Sequence, residues 1–164
     1  MPIDENKALT RRFFDETWNK GNPDAVDDYI AASCVTKSGD PVSPLVKRGI
    51  TNWRRGFPDF AYQIVRLVAE DDYVVAWTRF TGTHRGVFQH VLGNRTLGPW
   101  APTGKTIDVP EVYMSRVAAG KIAEIGAVWR ELEFIEQLGV TLASPRDRDK
   151  PESSQVRSAQ SARS

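Results

Sequence analysis

Residues rich in β-branched and aromatic side chains run from Thr106 to Val117, and this pattern predicts a half-buried β-strand. A tight turn at Ala118-Ala119-Gly120-Lys121 and a return strand over Ile122–Trp129 follow, because the glycine of the turn can adopt a positive φ. Side chains two residues apart share one face of a strand. Glu111 and Tyr113 therefore lie side by side among apolar neighbours, and this pair is the most promising for chemistry in the sequence.

Helical periodicity dominates the N-terminal third of the chain. Apolar residues at helical spacing predict a helix over Asp4–Lys20 that ends at Gly21, where a C-terminal capping glycine belongs. Asn22-Pro23-Asp24 is typical of a helix start and predicts a second, short helix. A third helix is predicted over Leu45–Arg55, and a short closing helix follows the last strand and ends before Gly139.

The middle of the chain predicts a β-hairpin. Its strands cover Ala61–Ala69 and Tyr73–Thr83, with the turn at Glu70-Asp71-Asp72. The segment Val91–Ala101 is expected to be a loop because glycine and proline interrupt it. Helices first and antiparallel strands afterwards favour an α+β fold, with the helices packed on one side of a curved sheet.

The composition indicates one globular domain. The 164 residues, 40% of them hydrophobic, can build one core, which we assign to residues 1–143. Residues 144–164 have almost nothing to bury, and we expect a dispensable, disordered polar tail. Lys and Arg number 22 and Asp and Glu 21, so the charge balance favours neither nucleic acid nor a membrane as partner. Without a signal peptide or an apolar span, the expected location is the cytoplasm.

Short motifs spread over about Asn6–Gly139 resemble those of the SnoaL-like polyketide cyclases, also called ester cyclases. They are Arg12-Phe13-Phe14, Trp18-Asn19-Lys20-Gly21, Phe57-Pro58-Asp59, Gly82-Thr83-His84, Pro102-Thr103-Gly104-Lys105, Gly120-Lys121-Ile122 and Gln137-Leu138-Gly139. The resemblance implies the NTF2-like fold, a cone of curved antiparallel sheet closed by three helices around one deep apolar pocket. It also implies a homodimer formed through the outer face of the sheet. Members of the family act without metal or organic cofactor on aromatic polyketides and similar natural products.

The usual catalytic pair of the aldol-type cyclases in this family is absent. The resemblance places the histidine of that pair at Tyr113, its aspartate at Ala127, and a nearby glutamine at Glu111. We therefore predict a cofactor-free enzyme of antibiotic biosynthesis and secondary metabolism, a cyclase, isomerase or lyase that acts on a polycyclic small molecule by acid/base catalysis. Two alternatives stay open. One is a hydroxylase that works with oxygen or a reductase partner, and the other is a ligand-binding protein without catalysis.

Candidate site residues follow from these arguments. Glu111 is the predicted base and Tyr113 the proton donor or oxyanion stabiliser, with His84 or Arg130 in support. The structural alternatives are an outward-facing, ion-paired Glu111, an architectural His84 and an Arg130 paired with a nearby glutamate. The residues predicted to bind a planar substrate are Trp18, Tyr29, Trp53, Phe57, Trp77, Arg79 and Trp129. His90 is expected at the surface, and no metal site is predicted.

Overall fold

The computed structural model describes residues 2–92 and 95–140, and the predicted polar tail lies outside them. The helices are α1 (Ile3–Phe13), which continues as a π-helical segment (Phe14–Asn19), then α2 (Val26–Tyr29), α3 (Val42–Gly56) and α4 (Glu131–Leu138). The strands are β1 (Ala61–Glu70), β2 (Tyr73–Thr83), β3 (Phe88–Leu92), β4 (Arg95–Trp100), β5 (Thr106–Ala118) and β6 (Lys121–Trp129). Among the described residues, no helix is long and apolar enough to cross a membrane.

Four of the strands form one curved antiparallel sheet in the order β1-β2-β5-β6. In its register Thr78 of β2 lies opposite Glu111 of β5, and Glu111 lies opposite Trp129 of β6. The helices α1 and α2 contact strands of this sheet, and α4 packs against β5. This arrangement confirms the predicted α+β class.

The two faces of β5 differ in burial with the two-residue period of a strand. Every second residue from Ile107 to Val117 is buried, whereas Val112 and Met114 on the other face are exposed. The turn to β6 has φ of 49° at Ala119 and 75° at Gly120, the two consecutive positive values that a type I′ hairpin turn requires. Glu111 and Tyr113 therefore face the interior.

The predicted N-terminal helix is α-helical at first and π-helical at its end. Phe13 and Phe14, where the two parts meet, are buried. Arg54 of α3 holds the end of the π-helical segment, because its guanidinium donates hydrogen bonds to the backbone carbonyls of Trp18, at 2.6 Å, and of Asn19. π-Helical turns often occur at functional sites. Here the turn places Trp18 beside the interior of the cone.

The prediction of a loop over Val91–Ala101 is wrong. Arg95–Trp100 forms β4, which pairs with β3 in a separate two-stranded sheet. Glycine and proline suggested a loop, but among the described residues β4 pairs with β3 alone, and an edge strand tolerates both residues. The error matters because β3 carries His90.

Candidate active site

A cavity of about 220 Å³ lies between the inner face of the sheet, the π-helical segment and α3. Its wall is mostly aromatic. Its ionisable groups are one carboxylate, one imidazole and two tyrosine hydroxyls. The lining residues are Phe13, Phe14, Trp18, Val46, Trp53, Tyr62, Phe80, His90, Glu111, Tyr113, Ile125, Ala127 and Trp129. An apolar wall with few polar groups is typical of a small-molecule site.

Glu111 is the buried acid of this cavity. Its side chain is only 7% exposed, and Thr78 Oγ1 donates a hydrogen bond of 3.2 Å to its Oε2. Burial raises the pKa of Glu111 to about 6, although hydrogen bonds from Tyr62 and Thr78 oppose the rise. Within the described residues no basic side chain forms a salt bridge with this carboxylate, so the outward-facing, ion-paired alternative is wrong. A carboxylate with a pKa near neutrality is suited to take up a proton and release it again.

Tyr113 supplies an uncommitted hydroxyl next to Glu111. Its ring stacks on Phe13, with centroids 6.0 Å apart, and lies edge-on to Phe14 at 5.0 Å. Burial and the neighbouring Glu111 raise the pKa of Tyr113 well above its usual value, so the phenol stays protonated. Its buried hydroxyl has no hydrogen-bond partner in residues 2–92 and 95–140. Because such an atom is costly to leave unpaired, it is a natural donor to a ligand oxygen.

Sequence reasoning missed two polar residues of the cavity, Tyr62 and His90. His90 was expected at the surface, yet it is only 8% exposed and lies edge-on to Trp129 with ring centroids 5.0 Å apart. Its Nε2 is 3.4 Å from Oε1 of Glu131. Burial lowers the pKa of His90, and Glu131 opposes this. The available signal was its spacing of two residues from buried Phe88, which the predicted loop concealed.

His84 and Arg130, predicted to support catalysis, do not line the cavity. The His84 ring is fully buried, stacks on Phe57 with ring centroids 5.1 Å apart, and forms a hydrogen bond of 3.1 Å between Nδ1 and Thr103 Oγ1. These contacts match the alternative in which His84 has an architectural role. Arg130 is exposed and pairs with Glu133 at 2.9 Å. Both residues are therefore removed from the candidate catalytic set.

The predicted substrate-binding residues divide into two groups. Trp18, Trp53 and Trp129 line the cavity. The other four do not, and they are Tyr29 and Phe57, which pack in the core, and Trp77 and Arg79, which lie on the outer face of the sheet. The reason on β2 is parity, since Thr78 and Phe80 point inward and their neighbours point outward. Trp77 is 51% exposed, and Arg79 pairs with Asp108 at 2.5 Å.

The raised pKa of Glu111 predicts how stability depends on pH. Between about pH 4.5 and 6 the folded protein still holds a proton that the unfolded chain has released, so stability falls as pH rises through this window and levels off above it. A pKa difference of this size corresponds to about 2 kcal/mol. Glu111→Gln is therefore expected to be more stable than wild type above pH 6, by up to that amount.

Urea unfolding of both proteins at about pH 4 and about pH 7.5 checks this expectation, because the linkage requires the difference to appear only at the higher pH. An equal stability difference at both pH values would contradict a buried carboxyl with a raised pKa.

Comparison with known proteins agrees with this architecture. The family model for SnoaL-like polyketide cyclases matches residues 8–138, and the chain belongs to this family. No curated protein matches the chain. Over the described residues there is also no group of three side chains placed to hold a metal ion.

Similar solved structures share the fold at low sequence identity. TsrD from Streptomyces laurentii has a TM-score of 0.72 and 20% identity, over 86% of this chain and 99% of TsrD. A proposed SnoaL-like polyketide cyclase from Jannaschia sp. CCS1 has a TM-score of 0.68 and 24% identity, and the match covers 87% of this chain and 97% of that one. AclR from Streptomyces galilaeus, a proposed hydroxylase, has a TM-score of 0.68 and 23% identity, and the match covers 98% of this chain and 93% of AclR. These likenesses show the NTF2-like fold.

Proposed function

We propose that the protein is a cofactor-free enzyme that removes a proton from a carbon acidified by a carbonyl group of a polycyclic substrate, directly or through a conjugated ring, and so starts a ring closure or rearrangement. The observation that carries the proposal is the buried carboxylate of Glu111, with a pKa of about 6, in an aromatic cavity. A base of this kind works near neutral pH, where its carboxylate form is populated.

Each residue has a definite part in the proposed step. Glu111 takes the proton from carbon, and Tyr113 donates a hydrogen bond to the enolate oxygen that forms. In a ring closure the enolate carbon attacks a second carbonyl carbon of the same molecule, and the resulting alkoxide takes up one proton. Proton release and uptake balance. The resemblance places the family's aspartate at Ala127, so the proposed step uses no carboxylate at that position of β6.

The surroundings of the cavity support a substrate of several rings. A groove of about 710 Å³ between α3 and β6 shares Trp18, Val46 and Ile125 with the cavity wall. The cavity alone is smaller than the roughly 300–1,000 Å³ usual for ligand sites. One ring at Glu111 would fill the cavity, and the remaining rings would lie along the groove. Aromatic polyketides of the kind made in antibiotic biosynthesis have this shape.

Deuterium uptake by anthrone tests the proposal without knowledge of the natural substrate. Anthrone is a planar, three-ring ketone whose C10 hydrogens lie across the central ring from the carbonyl, are acidified through the conjugated rings, and exchange through the enolate (anthrolate). Wild-type protein in oxygen-free D₂O is expected to speed exchange at C10 above the protein-free rate, as followed by mass spectrometry. Tight binding of anthrone without faster exchange would instead indicate the non-catalytic, ligand-binding alternative.

A hydroxylase is the second candidate, favoured by the name of AclR, which is similar over 98% of this chain. The same ketone separates the two functions. In air a hydroxylase-type reaction converts anthrone and O₂ to anthraquinone and water, so oxygen consumption and quinone formation would depend on the protein. The proposed cyclase chemistry predicts exchange that is independent of oxygen and of any reductant.

We also propose that the protein forms a homodimer through the outer face of the sheet. Trp77, Val112 and Val128 are neighbours across three strands of this face and are exposed, with Met114 and Val68 close by. An exposed apolar row at the middle of a sheet is typical of an interface, and a second copy can match it about a two-fold axis.

Val112→Arg, at the centre of the row, is expected to convert the dimer to a monomer with little loss of fold stability, because the side chain is already exposed in one subunit. Light scattering at micromolar concentration measures the mass. A monomeric wild-type protein would refute the proposed dimer.

A further inference from the structure

We propose that His90, held by Glu131, relays protons between the cavity and solvent. The inference rests on the proposed function, because a relay is needed only if Glu111 gains and loses protons during turnover. Glu111 itself is buried, and its hydrogen-bonding neighbours Thr78 and Tyr62 point into the same interior. Exchange of the Glu111 proton with solvent, which deuterium uptake from D₂O requires, therefore needs a path through the protein.

His90 lies on the boundary between the cavity and the surface. It lines the cavity together with Glu111, and it also lines a second opening of about 590 Å³, whose wall includes the exposed residues Arg48, Gln89 and Thr96. Glu111 lies opposite Trp129 in the strand register, and the His90 ring lies edge-on to the same indole. Glu111 and His90 thus flank one side chain of the cavity wall.

The contact with Glu131 determines which ring nitrogen of His90 carries the hydrogen and which one can take up a proton. The Glu131 carboxylate lies 3.4 Å from Nε2 of His90 and accepts a hydrogen bond from the N–H at that position. The other ring nitrogen, Nδ1, is then free to take up a proton. A proton that reaches Nδ1 allows the Nε2 proton to pass to Glu131, whose side chain is 33% exposed. When no substrate ring occupies it, the cavity of about 220 Å³ that Glu111 and His90 both line has room for waters that can carry the proton between them. Running the steps backwards brings a proton in.

A packing role for His90 makes a different prediction. Its ring also contacts Phe88 and Phe134, with centroids 6.5 and 6.0 Å apart. A histidine that only packs between aromatic rings would not be replaced functionally by a dissolved base. A proton relay would be, because small buffer molecules can carry the same proton once the side chain is gone.

Anthrone exchange in D₂O provides the test. His90→Gln is expected to slow protein-catalysed deuterium uptake roughly tenfold to a hundredfold, with anthrone binding unchanged. His90→Ala, which opens space beside Trp129, is expected to be slow and to recover when imidazole is added. Glu131→Gln is expected to fall between wild type and His90→Gln. His84→Gln is the matched control, since His84 is the other histidine of the chain and lies away from the cavity, and its rate should stay at the wild-type level.

Unchanged exchange in His90→Gln would overturn the relay, and so would a slow His90→Ala protein that binds anthrone but gains nothing from imidazole. If His90→Ala fails to fold, His90→Gln and Glu131→Gln decide between the two roles by their exchange rates at equal anthrone binding. The proposed function fails separately. It falls if Glu111→Gln exchanges deuterium as fast as wild type, whatever the histidine variants do.

Discussion

Trp53→Ala is expected to lower the free energy of unfolding by about 3 kcal/mol, the lower end of the usual cost of deleting a large aromatic side chain, because Trp53 is partly buried and packs against the core. Trp53 of α3 lies at the centre of the aromatic cluster, and its ring has six aromatic neighbours within 6.2 Å. These are Phe57, Phe60, Phe80, Phe88, Trp129 and Phe134. The cluster cannot close over the space because its members belong to several different elements.

Equilibrium unfolding in urea measures this loss, and Trp53→Phe is the matched control. Phenylalanine keeps one ring in the cluster and should cost clearly less than alanine. The alanine variant also removes part of the cavity wall, so it should bind anthrone more weakly. A loss of stability under about 1 kcal/mol for Trp53→Ala would contradict the central place given to this side chain.

Glu111→Gln is expected to lower the rate of anthrone exchange roughly a hundredfold or more, the usual scale for loss of a general base. Glutamine keeps the shape of the side chain and can still accept the hydrogen bond from Thr78, but it cannot take a proton from carbon. Binding of anthrone should therefore change little. Stability should not fall, because the buried carboxylate is itself a cost to the folded protein.

Tyr113→Phe is the companion variant for this measurement. It removes only the hydroxyl that would donate to the enolate oxygen, so its effect should be smaller, on the order of 1–3 kcal/mol in the activation free energy. If Glu111→Gln kept wild-type exchange, the proposed function would fall, and His84 and Arg130 could not replace Glu111 as the base because they lie outside the cavity.

Much of the site was predictable because β5 has a strict two-residue period. That period alone places Glu111 and Tyr113 on one face, and the positive φ values of the following turn fix where the strand reverses. What the period cannot tell is which face is inside. The family resemblance supplied that answer, and the burial of β5 confirms it.

The misplaced residues and the missed residue His90 have different physical causes. Trp77 and Arg79 are chemically as suitable as Trp53, and only the strand parity set by Thr78 and Phe80 turns them outward. His90 depends on the pairing of β3 with β4, a contact between segments that proline and glycine made resemble a loop. Its partner Glu131 is 41 residues away in sequence, so that no local pattern could reveal the pair.

The pH dependence of anthrone exchange shows whether the Glu111 carboxylate removes a proton from carbon inside the cavity. Tyr62 and Tyr113 stay neutral across the relevant range, because burial raises the pKa of each well above its usual value. The wild-type rate is expected to rise with pH and level off above an apparent pKa of about 6, the value that burial gives Glu111. His90→Gln should keep this midpoint at a lower rate, and Glu111→Gln should lose it. An unchanged midpoint in Glu111→Gln would show that Glu111 is not the base.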